Sequence, residues 1–163
     1  MLEKINNKIH DSSTINILVG KWKSQGLKIV FTNGCFDLLH YGHVHYLAEA
    51  RALGQKLIVG LNSDKSVQRL KGIHRPIKEE KSRQFILAGL ECVDAVMLFK
   101  EDTPLELVEL IRPHIIVKGG DWQAKDIVGS DIVLSDGGEV KSLPFIEGFS
   151  TTKLEQKIKN HRN

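Results

Sequence analysis

The chain predicts an α/β fold, a doubly wound parallel sheet of about five strands with helices on both faces. Three observations predict it. Short apolar runs rich in β-branched residues alternate with segments of helical periodicity. The run from Lys56 to Leu61 is apolar almost throughout, as suits a strand covered on both faces. Turn residues bound each segment, and no composition break, long linker or internal repeat interrupts the alternation.

In order, Ser13 or Thr14 can cap a first helix in which Ile15, Leu18, Val19 and Trp22 follow helical spacing, and Gly26 ends it. Residues 1–26 thus read as an N-terminal helical extension of one domain spanning 1–163. A first strand, Lys28 to Thr32, feeds a glycine turn and a helix carrying Val44, Leu47 and Ala48, stopped at Gly54. The second strand ends at Asn62-Ser63-Asp64, and Lys65 to Pro76 reads as a polar, basic connection. A helix follows from Glu79 to Leu90, then a third strand from Ala95 to Phe99. Thr103-Pro104-Leu105-Glu106 reads as a capping box with proline at the first helical position, opening a helix through Ile111. The fourth strand, His114 to Val117, ends in Lys118-Gly119-Gly120-Asp121. Trp122 to Gly138 reads as irregular, before a last strand from Glu139 to Leu143. Ser150-Thr151-Thr152 then starts a closing helix containing Leu154 and Ile158.

Composition bounds the function. With 163 residues, 41% of them hydrophobic and 26% charged, the chain can bury a full core without staples. A formal charge of +3 with interspersed acids gives no support to a charge-driven nucleic-acid or membrane partner. Cys35 and Cys92 are too few for a disulfide framework. The first residues contain no apolar leader core, and no run approaches the roughly 18 apolar residues of a membrane span. The expected location is the cytoplasm.

The stretch Thr32-Asn33-Gly34-Cys35-Phe36-Asp37-Leu38-Leu39-His40-Tyr41-Gly42-His43 carries the most chemistry. Two imidazoles spaced i, i+3 at a helix start share the face of its first turn, where unpaired amides and the positive dipole end favour an anion. Gly42 removes a side chain where a ligand would approach the backbone. A metal site using Asp37 or His45 is one rival and a pair of surface histidines another. Neither the G-x-G-x-x-G nor the G-x-x-x-x-G-K-[ST] loop occurs in the chain. Lys71, Arg83 and Lys118 each have a plain surface-charge reading, and Arg83 could pair with Glu79 or Glu80. Lys71 and Lys118 gain weight by following strand ends, since ligands of such sheets bind beyond the carboxyl ends of the strands.

These motifs together carry a resemblance. T-N-G-C-F-D-L-L-H-Y-G-H is similar to the H-x-G-H signature of the Rossmann-like nucleotidyltransferase superfamily. Asn62-Ser63-Asp64, Leu70-Lys71-Gly72, Val117 to Asp121 and Ser150-Thr151-Thr152, in that order, resemble the bacterial heptose-1-phosphate adenylyltransferases in their stand-alone form. Glycerol-phosphate cytidylyltransferases share the first motif but carry R-T-x-G-I-S-T-T near the end. Here that segment is Phe145 to Thr152, without arginine.

The resemblance implies transfer of AMP from MgATP to a sugar 1-phosphate in a homo-oligomer, a dimer by analogy. It implies catalytic roles for His40, His43, Lys71 and Lys118. Thr32, Asn33, Gly34, Cys35, Phe36, Asp37, Gly42, Arg83, Gly119, Asp121, Ser150, Thr151 and Thr152 would form the nucleotide cradle, with Mg²⁺ carried by the phosphates. A polyol-phosphate cytidylyltransferase and a non-catalytic nucleotide sensor are the competing expectations.

Overall fold

The computed structural model describes residues 1–146, 148–149 and 151–160, the side chains of 152, 153 and 159 excepted. In chain order it runs α1 (Leu2–Asn6), β1 (Ile9–His10), α2 (Ser12–Ser24), β2 (Ile29–Gly34), α3 (Tyr41–Ala52), β3 (Lys56–Asn62) and α4 (Asp64–Lys71). Then come α5 (Glu80–Ala88), β4 (Ala95–Phe99), α6 (Leu105–Ile111), β5 (Ile115–Gly119), α7 (Ser130–Ser135), β6 (Glu139–Leu143) and α8 (Thr151–Asn160).

Alternation of side chains across the strands builds two cores. Ile29, Phe31 and Ile58 face one side, where Val19 and Trp22 of α2, Val108 and Ile111 of α6 and Val133 of α7 cover them. Val30, Leu57, Val59 and Leu61 face the other, under Tyr46, Leu47 and Ala50 of α3 and Leu87 of α5. Burial on both faces explains why the central strands read as continuous apolar runs.

The strands are parallel throughout, in the order β1-β4-β3-β2-β5-β6. The chain winds outward from β2 through β3 to β4, then returns to lay β5 on the other side of β2. Connections leaving β2 and β5 therefore diverge, opening a crevice beyond their carboxyl ends. This is the only feature of the topology that the site requires.

Five local expectations are corrected. The described sheet has six strands rather than five, because Ile9–His10 pairs with Val96 and Met97 at the edge, so the N-terminal extension is not purely helical. Asp11, rather than Ser13 or Thr14, caps α2, accepting from the Thr14 amide at 2.9 Å while Thr14 Oγ1 accepts from the Asp11 amide. The supposed connection after Asp64 begins with a helix, α4, whose cap is Ser63, and the supposed irregular stretch contains α7 and a 3₁₀ turn, Ala124–Asp126. Pro104 is the N-cap of α6 rather than its first helical residue, and no side chain caps that end.

Candidate active site

The motif loop is held from behind by Asp37. Its buried carboxylate accepts from the amides of Ile77 at 2.8 Å and Lys78 at 2.9 Å, and from Arg75 Nη1 at 2.9 Å. Burial alone would raise the Asp37 carboxyl; these donors outweigh it and hold it below the usual carboxylate range. The stability it contributes is thus present above about pH 4 and lost as the pH falls through its lowered value. Arg75 also pairs with Glu155 of α8, so one guanidinium joins the motif loop to the last helix. We expect Asp37→Ala to lose about 3 kcal/mol of unfolding free energy in urea, because a half-buried arginine loses one of its two carboxylates and two amides lose their acceptor. A loss below 1 kcal/mol would show the clamp to be dispensable.

Phe36 occupies the left-handed region at φ 44°, and its ring meets His43 edge-on with centroids 5.4 Å apart. His40 is the N-cap of α3, with extended backbone and no side-chain capping bond; the His43 amide donates to the His40 carbonyl at 3.0 Å, while the amides of Tyr41 and Gly42 have no acceptor within the helix. The two imidazoles stack with centroids 3.9 Å apart and 25° between planes. His40 Nδ1 and His43 Nδ1 are buried and have no hydrogen-bond partner among the described residues. Buried polar atoms of this kind are rare unless a ligand or water serves them. Gly42 makes the packing possible: a Cβ there would lie 3.2 Å from both His40 Nδ1 and Phe149 Cβ. Burial lowers both imidazole pKa values, and the neighbouring His40 and Lys71 charges push His43 further, to about 4. Both rings are therefore neutral near pH 7, each with a single N–H, and a backbone hydrogen bond to Leu38 partly offsets the lowering at His43.

Lys118, at the end of β5, reaches across the crevice. Its Nζ donates to Asn33 Oδ1 of β2 at 2.5 Å, and burial pushes the ammonium down to about 8. A second link lies deeper. The buried Thr32 and Tyr46 hydroxyls are 2.6 Å apart, and Tyr46 donates to the Val117 carbonyl at 3.1 Å. This chain fixes α3, and with it the imidazoles, against β2 and β5. Lys71 ends α4, and its charge acts on both His43 and the Cys35 thiol.

The structure brings Asn33, Gly34, Cys35, Phe36, Gly42, His40, His43, Lys71, Lys118 and Gly119 to one rim. Three expected contacts are corrected. Asp37 is buried, with its carboxylate taken by Arg75 and the amides of Ile77 and Lys78, so it supports the loop from behind rather than lining the cradle. Arg83 is buried and its donors are taken by the carbonyls of Cys35 and Lys78 and by Asp64, so it clamps the motif loop rather than facing a phosphate, and it pairs with neither Glu79 nor Glu80. Thr32 is buried against Tyr46 and is likewise a support. Asp121 stands exposed in the bend after β5. Ser150 and the Thr152 side chain lie outside the described residues. Thr151 opens α8, and the preceding Phe149 packs near Gly42 and 5.0 Å from the Tyr41 ring. Sequence reading missed Arg75 and Tyr46. A separate cleft of about 350 Å³ lies at the opposite, amino-terminal edge of the strands, lined by Lys28, Arg112, His114 and Glu139 among others. There Lys28 pairs with Glu139 and Arg112 with Asp136.

Comparison with known proteins gives a consistent picture. The cytidylyltransferase-like family model matches residues 31–156. The bifunctional protein HldE of Pelobacter propionicus is 50% identical over 152 residues, which are 93% of this chain and 31% of that protein. HldE of Aliarcobacter butzleri is 51% identical over 156 residues, 96% of this chain and 32% of that protein. The chain thus spans about a third of the length of these curated relatives. The crystal structure of the lipopolysaccharide core biosynthesis protein from Thermoplasma volcanium is 32% identical, covering 74% of this chain and 98% of that one with a TM-score of 0.59. Pantoate-beta-alanine ligase from Francisella tularensis, at 13% identity, covers 95% of this chain and 78% of its own with a TM-score of 0.60, a likeness of fold alone. With its signature loop at the switch point of a parallel sheet and the family match across most of its length, this chain belongs to the cytidylyltransferase-like family of nucleotidyltransferases.

Proposed function

We propose that the chain transfers AMP from MgATP to D-glycero-D-manno-heptose 1-phosphate, releasing pyrophosphate and forming ADP-heptose. One observation carries the reading: Lys118 bonds Asn33 across the carboxyl ends of β5 and β2, in the loop system that also sets two stacked imidazoles at the start of α3. The similarity to HldE and to a lipopolysaccharide core biosynthesis protein supports the choice of a heptose acceptor.

A phosphate oxygen of the sugar attacks the α-phosphorus. The bond to pyrophosphate breaks in line, and its electrons leave on the pyrophosphate oxygen. The acceptor phosphate, with a second pKa of about 6, is already anionic near pH 7, so no general base is required. What opposes reaction is repulsion between anions and the entropy of alignment, and fixed donors reduce both. His40, His43 and the open amides of α3 face the ATP phosphates, while Lys71 and Lys118 neutralise charge from the flanking loops. The Ser150-Thr151-Thr152 motif serves the β- and γ-phosphates, and Thr151 opens α8. Mg²⁺ carried by ATP would add charge neutralisation at the phosphates. Asp37 is paired with Arg75 and Asp64 with Arg83.

Pyrophosphate release measured with ATP and CTP, each against heptose 1-phosphate and glycerol 3-phosphate, tests the reading. The ATP and heptose pair is expected to turn over fastest. Faster turnover of CTP with glycerol 3-phosphate would replace it with the cytidylyltransferase reading.

A further inference from the structure

Phe145 is an apolar side chain left 69% exposed on the rim of the crevice. Its ring lies across the Gly119-Gly120 peptide: a Cβ on Gly119 would come within 2.7 Å of Cε1, and one on Gly120 within 2.8 Å of Cε2. Gly120 sits at φ 101°, where side chains are strained, so both glycines serve the same close approach. The polar groups beneath the ring are already used. The Gly119 carbonyl accepts from Trp122 Nε1 at 3.1 Å, the Gly120 amide donates to Leu143 at 2.8 Å, and the Gly120 carbonyl accepts from Ser142. One face of the ring is thus seated on a pinned peptide and the other is open.

The place of this open face matters. Lys118 precedes the diglycine and reaches into the phosphate cradle. Phe149, four residues on from Phe145, packs at Gly42 beside His40. Four residues of chain span at most about 14 Å. The ring therefore stands within a nucleoside's reach of the imidazoles.

We propose that Phe145 is the base-selecting residue, its open face stacking on a purine while the phosphates lie at the H-x-G-H helix. A planar hydrocarbon ring attracts any base through its π-face, and a bicyclic purine covers more of it than a pyrimidine. The inference rests on the adenylyl-transfer reading for the position of the triphosphate.

The test combines turnover with binding of a non-hydrolysable ATP analogue and a CTP analogue, for wild type, Phe145→Leu, Phe145→Trp and Phe145→Arg. Because the side chain is mostly exposed, thermal midpoints should stay close to wild type. Phe145→Leu should raise KM for ATP and weaken the ATP analogue roughly tenfold with kcat little changed, Phe145→Trp should restore both, and Phe145→Arg should narrow the preference for ATP over CTP. Unchanged ATP affinity in Phe145→Leu, in an enzyme that still turns over, would overturn the stacking role alone. Phe145-dependent ATP binding without turnover would sustain the role and overturn the transfer reading. Absence of ATP binding by wild type would overturn both.

Discussion

His43→Ala is expected to keep the fold and lose on the order of 10²–10³ in turnover, the usual cost of one preorganised donor. The half-buried ring contributes one edge contact to Phe36 and one stack on His40, so its removal leaves the two cores intact. What goes is an N–H fixed at the helix start, in a place already desolvated enough to hold the imidazole neutral. Such a donor needs no reorganisation as charge builds on the α-phosphate. The expected signature is a fall in kcat with a thermal midpoint within a few degrees of wild type. Turnover near the wild-type value would remove His43 from the mechanism.

Lys118 should set the alkaline limit of the reaction. Burial lowers its pKa to about 8, so the ammonium is present below that value and is lost as the pH rises through it. Because kcat/KM reports the free enzyme, it should fall about tenfold per pH unit above roughly pH 8. Lys118→Arg keeps a charge that does not titrate in this range and should move the limb beyond pH 10, even where the altered geometry costs activity. Lys118→Met should lose about 10²–10³ in kcat/KM and flatten the limb. A limb surviving unchanged in Lys118→Met would assign it to another group.

Much of this arrangement was legible from residue order, and what escaped did so for physical reasons. The strands were readable because burial on both faces leaves a continuous apolar record in Leu57 to Leu61. Strand β1 left none, since two edge residues have no period to detect. Helix α4 reads polar because it buries little beyond Ser66 and Val67, and its evidence is the Ser63 cap. In the site, His40, His43 and Lys118 were marked by glycines and strand ends. Arg83 and Thr32 were placed on the ligand because spacing locates a residue without saying which way it points. Their partners, Cys35 and Tyr46, come from distant turns of the fold. Arg75 gave no signal at all: its meaning lies in joining Asp37 to Glu155 across the chain.

The account stands on the triphosphate lying at the switch point between β2 and β5, where cations from separate loops offset its charge. A crystal structure with a non-hydrolysable ATP analogue and Mg²⁺ locates it directly. The account predicts the α-phosphate within hydrogen-bond distance of His43 and the phosphates beside Lys118 and the start of α3. Phosphates seated instead in the cleft of Arg112 and His114 at the opposite edge of the sheet would contradict it.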